Sequence, residues 1–294
     1  MRLRADLTLL LISIIWGSAF VGQRVAGQMG SVYLFNGVRF LLGALVALPF
    51  AVRAARNAKG SFRIDRSQWL WMGAAGMVLF GAAAFQQAGM LSTSAGNAGF
   101  ITSLYVVFVP VALLLFWGEK PHWLAVAAVA LAAAGAFLLS SGGKSLSLQP
   151  GDTLELTGAF LWTFHVLLLG KFASRFHPLS FSVGQLVLSG LLNLGVSFFV
   201  ETPNLQGLLA LAGPILYTGV LSVGAGYTLQ VWAQRHTPPA DAALILSLES
   251  VFAALTGWLV LNETLTPVQI AGCVLILVAV MAAQAKPRQI AVKT

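Results

Sequence analysis

Charge is what this chain most lacks. Asp, Glu, Lys and Arg together make up 9% of its 294 residues, against roughly 25% in a soluble domain. So little charge excludes an ordinary water-soluble globular protein. Cysteine is almost absent as well: Cys273 stands alone inside an apolar run, which excludes a disulfide framework and a cysteine metal site. Long polar stretches are missing too. The longest break between apolar runs is about fifteen residues, too short for an extramembrane domain. Enzyme signatures are also lacking, with no HExxH, GxSxG or GxxxxGK[ST], and no GxGxxG set between a strand and a helix. The four histidines are scattered and form no metal cluster, so neither metal nor cofactor is expected. Without a nucleotide-binding loop, ATP is excluded as the direct energy source. The first apolar run, Leu7–Val21, leads to no small-residue cleavage site, so no cleaved signal peptide is expected.

What is present is hydrocarbon. Residues 58% hydrophobic and a mean hydropathy of +0.85 describe a polytopic membrane protein. A bilayer core about 30 Å thick takes roughly 20 apolar residues per helix. Ten candidate spans follow: 7–26, 31–52, 68–90, 95–117, 121–140, 153–172, 179–200, 207–232, 239–261 and 266–285. Gly, Pro, Asn and Ser cluster at the joints between them. With the N-terminus inside, fourteen of the seventeen basic residues fall on the inner side: Arg2, Arg4, Arg53, Arg56, Lys59, Arg63, Arg66, Lys120, Lys171, Arg175, Arg235, Lys286, Arg288 and Lys293. The outer loops hold only Lys144, so both termini are expected in the cytoplasm. That bias also accounts for the net charge of +8 without any nucleic-acid partner.

The chain spells part of itself twice. At a shift of 144, Ala98, Ile101, Ser103, Leu104, Val107, Phe108, Leu115 and Glu119 fall opposite Ala242, Ile245, Ser247, Leu248, Val251, Phe252, Leu259 and Glu263. Five spans per copy is an odd number, so the second copy enters the membrane from the opposite side. The expected fold is an all-α bundle of ten transmembrane helices, an inverted repeat of residues 1–145 and 146–294. Many secondary transporters are built this way, with the substrate site near mid-membrane between the copies.

Several short motifs stand in order along this frame: Trp16-Gly17-Ser18-Ala19-Phe20, Arg39, Gly118-Glu119-Lys120, Asn262-Glu263-Thr264-Leu265-Thr266-Pro267, then Gln269 and Gly272. In these the whole chain resembles the drug/metabolite transporter superfamily, specifically its EamA-type exporters. Its length and aromatic-rich spans look most like the YddG-type amino-acid exporters. After Glu119 the first copy reads Lys-Pro-His-Trp, a departure from the family's Thr-Leu-Thr-Pro.

Candidate site residues are the polar and aromatic groups inside spans. Glu249 lies near the centre of the ninth span, where a carboxylate costs about 2.5–3.5 kcal/mol, so it must face a cavity or a partner. It is either a ligand for a substrate ammonium or proton, or a shared structural group. Arg39 holds a substrate carboxylate, pairs with Glu249, or caps broken-helix carbonyls. Trp16 and Trp162 occupy matching places in the first spans of the two copies. Tyr105, Tyr227, Phe85 and Trp258 are candidates to join them in an aromatic wall. His165 is one turn from Trp162, and Gln86, Gln87 and Gln230 are polar groups that line the pore or bridge helices. Pro110 deprives the Val106 carbonyl of its donor and marks a candidate gate or hinge whose copy-mate is Ala254. Glu119 and Glu263 are expected at helix ends, bonding the N–H groups that open the next helix.

These features imply a secondary exporter in the bacterial inner membrane, multi-pass and monomeric, working by alternating access. Its expected substrates are amino acids, aromatic or apolar. Another metabolite, drug, sugar or nucleobase on the same scaffold is the alternative. An intramembrane lipid-handling enzyme is more remote, for want of a catalytic constellation.

Overall fold

A computed structural model describes residues 1–29, 31–57, 65–142, 149–202 and 205–284. The expected seam at 145 and 146 lies outside them, as do Lys59, Arg63, Lys144, Lys286, Arg288 and Lys293 of the charge count. Among the described residues every regular element is helical. The first three are α1 (Arg2–Gln28), α2 (Tyr33–Asn57) and α3 (Arg66–Gly89). The next are α4 (Ala95–Ser103) with α5 (Tyr105–Trp117), α6 (Trp123–Ser141), α7 (Pro150–Lys171) and α8 (Pro178–Val200). Then come α9 (Leu205–Ala210), α10 (Ala212–Tyr217), a π-helix (Thr218–Tyr227) and α11 (Thr228–Ala233) in succession. Last are α12 (Pro239–Leu246) with α13 (Glu249–Leu261), and α14 (Pro267–Gln284). Among the described residues, eight helices are long and apolar enough to cross a bilayer, counting Ala95–Trp117 and Pro239–Leu261 as one each. The last helix is a shorter apolar one, and 205–233 is divided into short pieces.

Local chemistry sets the boundaries. Asp65 Oδ1 accepts from the Gln68 N–H at 2.6 Å and Ser94 Oγ from the Asn97 N–H at 3.1 Å, while Pro150, Pro178 and Pro239 open α7, α8 and α12. α5 and α13 stop alike, on Gly118 (φ 66°) and Asn262 (φ 55°) in the left-handed region. In each, the following glutamate N–H reaches back six residues, Glu119 to the Leu113 carbonyl and Glu263 to that of Gly257, both at 3.2 Å. The two turns are one structure, 144 residues apart.

The surface is oily and the interior polar. Phe198, Phe199 and Leu115 are strongly exposed, whereas Arg39, Gln87, Glu155, Asn193 and Glu249 are buried. That distribution suits a bundle solvated by lipid, where each buried polar group needs a partner inside.

Helices equivalent at the 144-residue shift pack on each other. Gly37 of α2 meets Leu194 of α8, and Gly190 of α8 meets Leu41 of α2, so one number rises as the other falls. α2 and α8 are therefore antiparallel. The Glu201 carboxylate beyond α8 accordingly accepts from the Val32, Tyr33 and Leu34 N–H groups at the start of α2. α6 and α14 are antiparallel too: Gln269 Nε2 donates to the Leu139 carbonyl, and Gly135 and Gly272 allow close approach. α1 and α7 lie inside this frame, α1 against α13 and the π-helix, α7 against α3, α4 and α5.

Both middle helices are interrupted, at Leu104 and at Leu248. Just before each break a serine hydroxyl donates to the carbonyl three residues back, Ser103 to Phe100 and Ser247 to Leu244, both at 2.7 Å. The backbone then tightens into i→i+3 bonds, Leu104 to Ile101 and Leu248 to Ile245. Pro110 is not at the break. It sits within continuous α5, six residues on, and the same interruption occurs in α12–α13 without a proline at that point.

Candidate functional site

The breaks place Tyr105 and Glu249 at the first positions of α5 and α13, facing each other at the centre of the bundle. Tyr105 Oη donates to Glu249 Oε1 at 2.9 Å, and both side chains are buried. Around them lies a small cavity of about 30 Å³. Its polar lining includes Gln23, Arg39, Gln86, Thr102, Gln230 and Glu249, and its aromatic lining Trp16, Phe20, Tyr105, Trp162 and Tyr227.

Tyr227 is the hub of the aromatic wall. Its ring centroid lies 5.0 Å from Trp16, 5.8 Å from Phe40, 6.0 Å from Trp162 and 5.9 Å from His165. The π-helix carries Tyr227 to this point. Trp16 Nε1 donates to the Ser222 carbonyl of that helix at 3.0 Å. Gly226 leaves room for the indole, since a Cβ there would lie 2.6 Å from Trp16 Nε1. A π-helix widens the turn and is common at functional sites. Gly17, beside Trp16, lets α1 touch α13, where a Cβ would lie 2.6 Å from the Glu249 carbonyl oxygen.

Arg39 is held by neutral groups. Its Nε donates to Asn36 Oδ1 at 3.0 Å and Nη2 to Gln23 Oε1 at 3.1 Å, and its guanidinium lies 5.1 Å and 5.3 Å from the Phe35 and Phe40 ring centroids. Of the roles open to Arg39, pairing with Glu249 is not formed: both line the cavity, but Glu249 bonds Tyr105 instead. A guanidinium keeps its charge in a protein, so this cation lies buried without an anionic partner among the described residues. Two more cavity groups have open valences there, the Trp162 Nε1 donor and the Gln230 Oε1 acceptor. The cavity thus presents donors (Arg39, Trp162) and acceptors (Glu249, Gln230) beside a face of aromatic rings.

The structure gathers Trp16, Arg39, Tyr105, Trp162, Gln230 and Glu249 around this cavity but leaves His165 outside it. His165 Nε2 pairs with Gln185 Oε1 of α8 at 3.0 Å, and its ring stands behind Trp162 and Tyr227, supporting the wall from the second layer. Gln87 bridges to the Gln23 carbonyl at 2.9 Å. Phe85 and Trp258 point outward, 38% and 52% exposed. Neither terminal glutamate caps the next helix. Glu119 pairs with Lys171, and Glu263 folds back toward Gly257. The His122 ring instead accepts from the Leu124 N–H, and Thr266 and Gln269 cap each other at the start of α14. Burial raises the Glu263 carboxyl pKa, an effect opposed by nearby Arg24. Sequence reasoning missed Gln23, Asn36, Thr102 and Ser222. Each is a small polar group in a long apolar run, and only its neighbours reveal its role.

Two polar latches flank the cavity at a distance. Asp6 Oδ1 accepts from the Thr237 hydroxyl at 2.8 Å, and Arg2 joins Asp6 to Asp241. Asp152 Oδ1 accepts from the Thr93 hydroxyl at 2.8 Å and from Asn97 Nδ2 at 2.6 Å. Thr93 and Thr237, like Asn97 and Asp241, are 144 residues apart. Asp6 and Asp152 are separated by 146, the same offset as Trp16 and Trp162.

The EamA-like transporter family model matches residues 3–141 and again 149–283. An uncharacterized transporter of Archaeoglobus fulgidus is 35% identical over 283 residues, 95% of this chain and 85% of its own. The inner membrane transporter YedA of Escherichia coli is 25% identical over 273 residues, 89% of this chain and 84% of its own. The threonine/homoserine exporter RhtA of E. coli is 28% identical over 171 residues, 55% of this chain and 54% of its own. A solved crystal structure superposes with a TM-score of 0.75 over 97% of this chain and 99% of its own; at 18% identity it speaks for the fold alone.

Proposed function

The chain belongs to the EamA-like transporter family, as a multi-pass membrane transporter and not an enzyme, and on that premise we propose that it exports amino acids by alternating access. The observation that carries this reading is the Arg39 guanidinium, buried without an anionic partner among the described residues, in the same cavity as Glu249 and a wall of aromatic rings. An amino acid carries one anionic and one cationic group on adjacent positions. Its carboxylate suits Arg39 and the Trp162 donor, bidentate at the guanidinium. Its ammonium suits Glu249 and Gln230, with an aromatic or apolar side chain along Trp16 and Tyr227. This reading makes the chain an exporter of the YddG type, and the RhtA relative is a threonine/homoserine exporter by its name.

The scaffold for this reading is ten spans as an inverted repeat, 1–145 and 146–294, with both termini in the cytoplasm of a bacterial inner membrane. It is supported by the two family matches and by the antiparallel packing of equivalent helices, α2 on α8 and α6 on α14. Copies related by an axis along the membrane normal would run parallel at such contacts. An axis in the membrane plane makes them antiparallel. The Asp6 and Asp152 latches then lie at opposite faces and alternate as gates, with the helix interruptions at Leu104 and Leu248 or the Pro110 region as hinges. One chain encloses the cavity, so the unit is a monomer.

The test is flux of a mixed radiolabelled amino-acid panel in proteoliposomes, against protein-free liposomes. Movement of aromatic or other apolar amino acids is the expected result. No flux of any amino acid, from folded protein, would shift the substrate class to another small metabolite.

A further inference from the structure

One buried acid belongs to neither the cavity nor a latch. Glu155, on α7, is 0% exposed. Its Oε2 accepts a single long hydrogen bond, 3.3 Å from the Thr102 hydroxyl, and its Oε1 has no partner among the described residues. Gly89 of α3 makes the space it occupies, because a Cβ at 89 would lie 2.6 Å from Glu155 Cγ. Glu155 forms no ion pair among the described residues.

The groups that face it are acids or neutral. Asp152 is one turn earlier on α7, its oxygens occupied by Thr93, Asn97 and the Gln149 N–H. From α4 comes Thr102, from α3 Gln86 and Gly89, and beyond these lies Glu249 of α13, which shares the cavity with Gln86 and Thr102. A carboxylate in such a place has neither a cation nor the hydrogen bonds that a buried charge needs, whereas a neutral acid fits.

The other half of the molecule shows that the fold does not need an acid here. At the offset that matches Asp6 with Asp152 and Trp16 with Trp162, Glu155 corresponds to Leu9, a fully buried core residue. A leucine fills the equivalent place, so the carboxyl is an addition to one copy only.

We propose that Glu155 is a proton-binding site, separate from the substrate cavity but wired to it, whose proton is exchanged during each transport cycle. The wire is short: Gln86 Nε2 donates to Thr102 Oγ1 at 2.9 Å, and the Thr102 hydroxyl donates to Glu155. Gln86 and Thr102 both line the cavity, so substrate there changes the groups that hold Glu155. At the other end stands the Asp152 latch. When it opens, the Glu155 O–H bond breaks and water at that face takes the proton. When the latch closes, water in the cavity returns one through the Thr102 hydroxyl, which passes its own proton to the carboxylate and takes the water's in exchange. Nothing is oxidised or reduced. A calcium or magnesium ion is a poor alternative, because either takes about six or more oxygen ligands and this site offers the Glu155 carboxyl and one hydroxyl.

The proton site is independent of the substrate reading, whereas its coupling to flux rests on the amino-acid transport proposed above. Infrared spectra of the protein in lipid bilayers at neutral pH test the site with no substrate present. The wild type is expected to show a carboxylic C=O stretch with a component that Glu155→Gln lacks and Glu249→Gln retains. An unchanged band in Glu155→Gln would overturn the proposal. Glu155→Leu, which copies Leu9, serves if the glutamine variant fails to fold. In proteoliposomes under a pH gradient, Glu155→Gln is expected to lose gradient-driven accumulation of the labelled panel while keeping substrate counterflow. Retained accumulation would overturn the coupling, as would accumulation driven by a sodium gradient instead. Loss of counterflow with an unchanged melting temperature would overturn the separation of this site from the cavity. Wild-type protein that moves no amino acid would sink the proposed substrate class and leave the infrared result standing.

Discussion

Tyr105 and Glu249 hydrogen-bond to each other at 2.9 Å and are also each other's counterparts, 144 residues apart. A residue bonded to its own equivalent lies close to the axis relating the two halves. On the proposed inverted repeat that axis passes through the cavity, between two helices that are interrupted alike, each where a serine bonds back to its own helix. The first copy supplies a phenol and the second a carboxylate, so the symmetric frame holds an asymmetric site. Breaking such a bond costs about 1.5–3 kcal/mol when one partner is charged. Glu249→Gln is expected to impair transport while the protein still inserts and purifies, and Tyr105→Phe to impair it less. Normal flux by Glu249→Gln would remove that carboxylate from the site.

Arg39 owes its position to Asn36, Gln23 and two phenylalanine faces. Lysine has neither the planar fork nor the stacking face to use them. Arg39→Lys is expected to raise the KM for amino acids by roughly ten- to a hundredfold, the loss of about 1.5–3 kcal/mol. An amine substrate without a carboxylate, if carried, would be spared. Equal loss for both would mean that Arg39 only supports the fold.

The latches predict opposite effects from matching substitutions. Thr93→Val removes a bond to Asp152 and Thr237→Val one to Asp6. With Cys273 replaced and Ser222→Cys as a cavity reporter, a membrane-impermeant maleimide measures access from each side. Thr93→Val is expected to speed labelling from outside and Thr237→Val from the cytoplasm. The same direction for both would show that the two clusters are not alternate gates.

Orientation is tested by single cysteines at three loops. Gly60→Cys and His236→Cys should label from the cytoplasm and Ser145→Cys from outside, as the basic residues require. Reversal of any one would overturn the inverted arrangement.

Glu263 gives a pH prediction. Burial raises its carboxyl pKa above the ordinary range, with Arg24 opposing. The folded pKa exceeds the unfolded one, so folding is favoured at pH below the unfolded value, and that advantage is lost as pH rises through the folded value. In detergent, Glu263→Gln should therefore melt higher than wild type at neutral pH, with the gap closing in acid. A lower melting temperature at neutral pH, with that gap closing in acid, would mean that attraction to Arg24 dominates.

The chain's membrane class and its long apolar helices were legible in one dimension. Apolar runs, glycine and proline joints and a shift of 144 are local or repetitive signals, and lipid lets hydropathy decide what soluble proteins leave to packing. The cavity was partly legible, because an arginine, a glutamate or a tryptophan in a hydrocarbon span needs a reason to be there. Partnership was not. Whether Arg39 meets Glu249 or Gln23, whether His165 faces the cavity or Gln185, and that Glu155 stands beside Thr102 with one oxygen unclaimed are matters of distance between residues far apart in the chain. Hydropathy sets how deep a residue lies; only the packing of the helices against one another sets what it faces.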